Sequence, residues 1–437
     1  MSKSIIAIVG RPNVGKSTLF NKMAKKRLAV IEDTPGITRD RLYGEALWND
    51  RSFLVVDTGG FQHEPDEDIS IQVNKQVLLA VQEADIILLL LDAESGLLTH
   101  DMELIGMLRK YGKRVYYAVN KIDGPKKEKA LYEFYSLGVD LFPLSALNGN
   151  GYEELMDSIV SSLPEGGDEA TPYPRIAIVG RPNVGKSTLV NSLLGKERMI
   201  VSPVPGTTRD AVDSICSYYK KKYIIIDTAG IRRKGRMAET VERYSFLRTL
   251  RNIENSDVVL IVLDASEGIV ELDLKIAGLV FNAKKGVVFL LNKWDIVDKD
   301  ILSVKDVEEQ VYQKLWFMRY APVLTISAQS KQRMTKLFPL IDEVISEGSK
   351  RIETHALNEF LINALATQEL PLYKGKKVKI YYITQIKTNP PGFVIFTNYK
   401  EGIKEQYIRF LEGKLRKQFA FKGVPVELYV RQRKKQH

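Results

Sequence analysis

A nine-residue run, GRPNVGKST, occurs twice in this chain, at 10–18 and at 180–188. Each copy sets two glycines ahead of a lysine and a serine: Gly10, Gly15, Lys16 and Ser17 in one, Gly180, Gly185, Lys186 and Ser187 in the other. Such a loop between a strand and a helix can wrap its backbone N–H groups around phosphate oxygens, at a helix N-terminus whose dipole favours anions. Lys16 and Lys186 would reach the terminal phosphates, the hydroxyls of Ser17 and Ser187 would bind Mg²⁺, and Val14, Thr18, Val184 and Thr188 would complete the cradle. One loop alone specifies no more than a nucleotide phosphate.

Further residues narrow the chemistry. Asp57 and Asp227 open DTGG and DTAG at strand ends, where a carboxylate can hold Mg²⁺ through water, and Gly60 and Gly230 leave room for a backbone N–H beside a γ-phosphate. Thr38 and Thr208 lie in PGITRD and PGTTRD, segments able to grip Mg²⁺ and the γ-phosphate together and to loosen after hydrolysis. The base is selected by NKID at 120–123 and NKWD at 292–295. The oxygens of Asp123 or Asp295 accept from the paired N1–H and N2–H₂ edge of guanine, an edge adenine lacks. A site that leaves such a buried carboxylate unpaired rejects the analogue by ~10⁴ or more. Asn120 and Asn292 would brace the loop and base, and Lys121 and Lys293 would lie along the ring. The backbone at Ala146 and Ala328, each after a serine (Ser145, Ser327), would meet the guanine oxygen. GTP and GDP are thus the expected ligands and GTP hydrolysis the expected reaction, with Lys16, Thr38, Asp57, Gly60, Lys186, Thr208, Asp227 and Gly230 in catalytic roles.

The elements that must hold these residues are doubled in the same way. The phosphate-loop, PG[IT]TRD and DxxG pairs keep one offset of 170 residues, so one globular unit is repeated. Within each copy short apolar runs (SIIAIV, SFLVVD, ADIILLLLD, RVYYAVN; RIAIV, KYIIID, SDVVLIVLD, GVVFLLN) alternate with helical segments. That pattern predicts strands buried on both faces of a doubly wound, mostly parallel α/β sheet. PEGGDEATPYP, from Pro164 to Pro174, reads as a linker. The domains expected are 1–164 and 175–349, joined by the linker 165–174, and a small α+β domain over 350–437 with the order αββαβ. Its strands include KKVKIYYITQIKT, on which alternation turns one of Tyr381 and Tyr382 towards the core.

Charge is concentrated at one end. Residues 350–437 carry 18 lysines and arginines against 7 glutamates, while the whole chain has a net charge of +10. A basic surplus confined to the last domain points to a polyanionic partner there. The single cysteine, Cys216, excludes an internal disulfide and reads as a core strand residue; His63, His100, His355 and His437 have no metal-ligand spacing. The opening residues do not form a secretory signal and no apolar run approaches the ~18 residues of a membrane span, so a cytoplasmic protein is expected.

Taken together, the two motif sets and KTNPPGFVIFTN at 387–398 resemble the Der or EngA family of tandem GTPases that act in bacterial ribosome assembly. The resemblance covers essentially the whole length. It implies two P-loop GTPase domains followed by a KH-like domain, and nucleotide-dependent docking on ribosomal RNA of the large subunit during its maturation. It further implies a monomer with no DNA partner. Where small signalling GTPases have a water-orienting glutamine, this chain has Phe61 and Ile231, so hydrolysis must be slow or helped by another group, a partner or an ion. Asn13 and Asn183 resemble the potassium-coordinating position of cation-dependent GTPases; the alternative is that they shape their loops. No GxxG clamp occurs in the last domain, so RNA contact there is expected through Lys and Arg, notably Arg431, Arg433, Lys434 and Lys435. The acidic stretch Glu64, Asp66, Glu67, Asp68 and the basic stretch Arg232, Arg233, Lys234, Arg236 suggest a nucleotide-dependent electrostatic latch. Two other classes stand beside this one: a ribosome-binding protein whose nucleotide sites are structural, and a membrane-associated trafficking GTPase, disfavoured by the missing lipidation signal.

Overall fold

The computed structural model describes residues 4–24, 43–58, 81–82, 84–163, 172–194, 202–203, 213–219, 221–228, 244–298, 302–370 and 372–433. The chain divides into two compact units, Met1–Ala170 with Glu239–Arg251 and Thr171–Ala238 with Asn252–His437. Thr38, Gly60, Phe61, Thr208, Gly230, Ile231, Lys434, Lys435, both halves of the expected latch and most of the expected linker lie outside the described residues.

In the first unit the apolar runs become β1 (Ile5–Val9), β3 (Arg51–Asp57), β4 (Ile86–Asp92) and β5 (Arg114–Asn120), joined by β2 (Tyr43–Trp48) and β6 (Leu141–Pro143) in the order β2-β3-β1-β4-β5-β6. Only the edge strand β2 runs antiparallel to its neighbour, β3. Helices α1 (Lys16–Met23), α2 (Thr99–Arg109) and α3 (Tyr152–Ser161) follow β1, β4 and β6. A core of Ile6, Ile8, Val55, Leu88 and Leu90 packs with Leu19 and Phe20 of α1 and Met156 and Ile159 of α3. Chain order reverses at β1, and in sheets of this kind ligands bind beyond the carboxyl ends of the strands at that point. The first phosphate loop leaves β1 there.

The second unit repeats the plan with β7 (Arg175–Val179), α4 (Lys186–Leu194), β8 (Ser202–Pro203), β9 (Ser214–Tyr218), β10 (Lys221–Ile225) and the end of α5 (Tyr244–Glu254), whose residues up to Arg251 fall in the first unit. It continues with β11 (Val258–Asp264), α6 (Glu271–Ala283), β12 (Gly286–Asn292), α7 (Val304–Lys314), β13 (Val323–Thr325) and α8 (Leu337–Ser349). Its sheet order is β13-β12-β11-β7-β10-β9-β8, the first order reversed with β8 added at the edge. Cys216 is buried on β9, and burial pushes its thiol up to about 12.

The C-terminal elements are α9 (Thr354–Thr367), β14 (Leu372–Tyr373), β15 (Lys376–Lys377), β16 (Ile380–Lys387), β17 (Gly392–Thr397), α10 (Glu405–Phe419) and β18 (Glu427–Gln432). They realise αββαβ with one addition: KKVKIYYITQIKT is not a single strand. Lys374 and Gly375 both take positive φ (50° and 74°), the geometry of a tight hairpin turn, and fold Lys376–Lys377 back on Leu372–Tyr373. The register of β16 against β17 slips between Ile380 and Tyr382, and Tyr381 and Tyr382 are both exposed, against the alternation expected from the sequence. A bulge sets two residues against one and breaks the period of two. Among the described residues no helix is long and apolar enough to cross a membrane.

The C-terminal sheet and the second GTPase-type sheet share one hydrophobic cluster, running from Leu260 and Leu290 through Val344 and Phe338 to Phe360, Phe393 and Phe421. The junction is also hydrogen-bonded through backbone. Gly423 accepts from the Val287 N–H of β12 and donates to the Tyr320 carbonyl, both at 2.7 Å. Ala420, Phe421 and Gly423 all have positive φ, and the Arg416 guanidinium donates to the carbonyls of Phe421 and Val424 at 3.0 and 2.9 Å. A Cβ at Gly423 would fall 2.3 Å from a methyl of Val344, at φ +76°. Gly423→Ala therefore combines left-handed strain with overpacking, together roughly 2–5 kcal/mol. Scanning calorimetry should show the transition of the second unit lowered by roughly 5 °C or more with the first unit's unchanged; an unmoved transition would show that this junction does not hold the unit together.

Candidate functional site

Both phosphate loops have one backbone path. φ is +153°, +64° and +96° at Gly10, Asn13 and Gly15, and +152°, +63° and +93° at Gly180, Asn183 and Gly185. A Cβ at Gly10 would lie 2.4 Å from the Leu90 carbonyl oxygen, and at Gly180 2.4 Å from that of Val262. At Gly15 and Gly185 it would lie 2.3 and 2.2 Å from the side-chain nitrogens of Asn120 and Asn292. These glycines are thus required by the neighbouring strand and by the asparagine, besides any phosphate. Asn13 and Asn183 stand exposed at the loop crests in the left-handed region, which asparagine tolerates better than other side chains.

Asn120 and Asn292 end β5 and β12 and are buried. The Nδ2 of Asn120 donates to the Val14 carbonyl and its Oδ1 accepts from the Ala146 N–H, both at 2.8 Å. Asn292 repeats this to Val184 at 2.8 Å and from Ala328 at 2.9 Å. One amide therefore ties the phosphate loop to the loop expected to meet guanine. The Ala146 and Ala328 amides, expected on the guanine oxygen, are engaged with it.

Lys16 and Lys186 turn back on their own loops: Lys16 donates to the Arg11 carbonyl at 2.7 Å, Lys186 to those of Gly180 and Arg181 at 2.7 and 2.5 Å. Burial lowers the pKa of Lys16 from its ordinary value, with Asp57 opposing. Ser17 Oγ donates to Asp57 Oδ2 at 2.7 Å, so the hydroxyl and carboxylate expected on Mg²⁺ adjoin, a donor set of hard oxygens that fits this cation. In the second copy Asp227 has a φ of +56°, its N–H donates to Asp213 Oδ1 at 3.0 Å and Asn252 donates to its Oδ2 at 3.2 Å, and Ser187 is the second residue of α4. Thr18 and Thr188 follow on the first turns of α1 and α4.

Asp123 accepts from Ser145 Oγ at 2.8 Å and from Lys127 at 3.1 Å. The Ser145 bond first, and Lys127 after it, hold its carboxyl below the usual range, so it is an ionised acceptor at neutral pH. Asp123 and Asp295 are exposed, not buried as the selectivity argument from sequence assumed. The expected penalty for a wrong base would therefore need the base itself to cover the carboxylate. Ser327 is buried like Ser145, and its Oγ accepts from the Ser330 N–H at 3.0 Å as that of Ser145 does from the Asn148 N–H at 3.1 Å, but among the described residues no hydrogen bond joins Ser327 to Asp295.

Lys121 and Lys293, both at positive φ, pair with carboxylates that sequence reasoning missed: Asp92 at 2.7 Å and Asp264 at 2.5 Å, at the ends of β4 and β11. Burial opposes ionisation of Asp92, but hydrogen bonds led by that from Lys121 keep its pKa low. A second omission is a strut behind each loop. Arg11 Nε lies 3.2 Å from Asp101 Oδ2, and Arg181 Nε 3.3 Å from Asp273 Oδ2, with both aspartates fully buried on α2 and α6. Each also caps its helix, accepting from the Leu98 or Val270 N–H at 3.1 Å. The signal was present but displaced: the aspartates lie 172 residues apart, not 170.

A protein-family model described as 50S ribosome-binding GTPase matches residues 5–121 and again 175–293. Another, described as the C-terminal KH-domain-like region of EngA bacterial GTPase enzymes, matches residues 351–431. Among curated proteins, the GTPase Der of Caldanaerobacter subterraneus subsp. tengcongensis is 48% identical over 436 residues, covering 99% of both chains. That of Thermodesulfovibrio yellowstonii is 48% identical over 98% of this chain and 99% of its own, and that of Clostridium novyi 46% over 99% and 100%.

The strut makes a prediction of its own. Arg181→Met leaves Asp273 buried and uncompensated, at roughly 3–5 kcal/mol. Adding Asp273→Asn, which keeps an acceptor for the Val270 N–H, should recover most of that. Chemical denaturation of both variants, with guanine-nucleotide titration at the second site, checks this; a parent-like single variant, or a double variant no better than the single, would contradict it.

Proposed function

The chain belongs to the Der (EngA) family of GTPases, and from that premise we propose that its two sites act as switches timing its docking on the large ribosomal subunit during maturation. It is a GTP-hydrolysing enzyme with two guanine-nucleotide-binding domains. The observation that carries the ribosomal reading is the confinement of the basic excess to residues 350–437, in a domain bonded through Gly423 to β12, the strand that ends in Asn292. Ribosomal RNA is the polyanion this charge fits. We assign the functional modules to 1–164, 175–349 and 350–437, working as a monomer in the cytoplasm.

In this reading Lys16 and Lys186 leave their loop carbonyls to reach the terminal phosphates, where their charge offsets that developing on the oxygens. Ser17 with Asp57, and Ser187 with Asp227, would hold Mg²⁺, whose charge would offset that of the phosphates. Thr38 and Thr208 close over the γ-phosphate, and Gly60 and Gly230 bring a backbone N–H beside it. Asp123 and Asp295 read the guanine edge, with Lys121 and Lys293 flanking the ring. With Phe61 and Ile231 unable to orient water, intrinsic turnover is slow and a partner or ion raises it. The exposed, left-handed positions of Asn13 and Asn183 support a role for them in holding K⁺. The same φ also explains them as loop-shaping residues alone.

Steady-state phosphate release, with and without large ribosomal subunits and in K⁺ against Na⁺ at equal ionic strength, tests both parts. Subunits are expected to stimulate turnover roughly tenfold or more, and K⁺ to exceed Na⁺ in a manner lost in Asn13→Ala and Asn183→Ala. Turnover indifferent to subunits would favour the reading in which the nucleotide sites are structural, and equal rates in the two salts would leave the asparagines as loop formers.

A further inference from the structure

We propose that the open face of the C-terminal sheet binds single-stranded RNA, by stacking unpaired bases on a tyrosine–phenylalanine platform rimmed by arginines. This deepens the ribosomal reading and rests on it.

Register brings the residues together. Tyr382 lies opposite Phe396, and Phe396 opposite Arg431; one step along, Thr384, Val394 and Tyr429 form the next row. Neighbours along a strand face opposite ways, so Ile383, Ile395 and Val430 point into the cluster that holds Leu357 of α9 and Leu411 of α10. The rings of Tyr382 and Phe396 stack at 4.5 Å with 20° between their planes. The bulge exposes Tyr381 as well, and the Arg433 guanidinium lies 5.6 Å from its ring. Tyr381, Tyr382 and Tyr429 remain 46%, 37% and 38% exposed. Rings already fixed against one another lose little freedom when a base joins the stack.

Charge and composition choose the occupant. Arg431 and Arg433 are exposed, and the one carboxylate on the three strands, Glu427, is held between Lys284 and Lys387. Of the four exposed large hydrophobic residues on β16 and β18, three are tyrosines and only Ile386 is aliphatic. That mixture suits bases and phosphates better than the apolar centre of a protein interface. Duplex RNA offers no free base faces to such a platform. The face therefore supplies what the missing GxxG clamp does not.

The test titrates the full chain into a short fluorescein-labelled oligouridine and into duplex RNA of equal length, following anisotropy. The oligouridine should bind more tightly. Tyr382→Ala and Tyr429→Ala should each weaken it about fivefold or more, within the range for stacking on one ring, without changing the salt dependence. Arg431→Gln should instead flatten the slope of log affinity against log salt by about 0.7. Tyr382→Phe should bind like the parent, since the ring and not the hydroxyl stacks, and its retained binding also guards against a folding artefact. The proposal is overturned if the alanine variants bind oligouridine as the parent does, if duplex binds equally well, or if the substitutions alter only self-association or protein binding. Binding to large subunits, measured alongside, separates the two levels. Subunit binding by the parent with no tyrosine effect on oligouridine removes this surface and leaves the ribosomal reading; parent protein that binds neither probe removes both.

Discussion

A buried amide at the end of one strand couples the two halves of each site. Asn120 spans from the Val14 carbonyl to the Ala146 N–H, and Asn292 from Val184 to Ala328, at distances that agree to a tenth of an ångström between copies. Other features follow from letting that side chain pass: Gly15 and Gly185 can carry no Cβ beside it, and positive φ there sets the turn into α1 and α4. An unmade hydrogen bond in such a place costs about 1–3 kcal/mol, so the glycine-rich loop and the loop at Ala146 or Ala328 are held as one object.

The doubling is close at this bridge and looser around it. Asp227 takes a left-handed conformation that Asp57 does not, with its N–H donating to Asp213 and Asn252 donating to its carboxylate. Ser145 serves Asp123, while among the described residues no hydrogen bond joins Ser327 to Asp295. The second copy also carries a load the first does not: β12 bonds the C-terminal domain near its start, at Val287, and ends in Asn292. One strand thus joins a nucleotide loop at one end to a basic domain near the other.

Much of this could be read from residue types and spacing. Continuous apolar runs such as IILLLLD can only be strands buried on both faces, and a repeat of motifs in one order fixes two equivalent sheets. What escaped has definite causes. The Arg11–Asp101 and Arg181–Asp273 pairs join residues about 90 apart, and no local pattern announces a long-range ion pair. Lys374 and Gly375 form a turn inside a run of β-compatible residues, and the bulge at Tyr381 leaves both tyrosines exposed where alternation turns one towards the core. The exposure of Asp123 escaped because hydrophobic patterning does not encode which carboxylates a fold leaves open.

The central claim is that each copy reads guanine independently, through the aspartate that follows its bridging asparagine. Calorimetric titration of the Asp295→Asn variant tests it most directly, because the new amide offers a donor suited to the C2 carbonyl of xanthine in place of the guanine amino group. The account predicts one remaining GDP site of parental affinity and one site converted to XDP. Two GDP sites of unchanged affinity would contradict it.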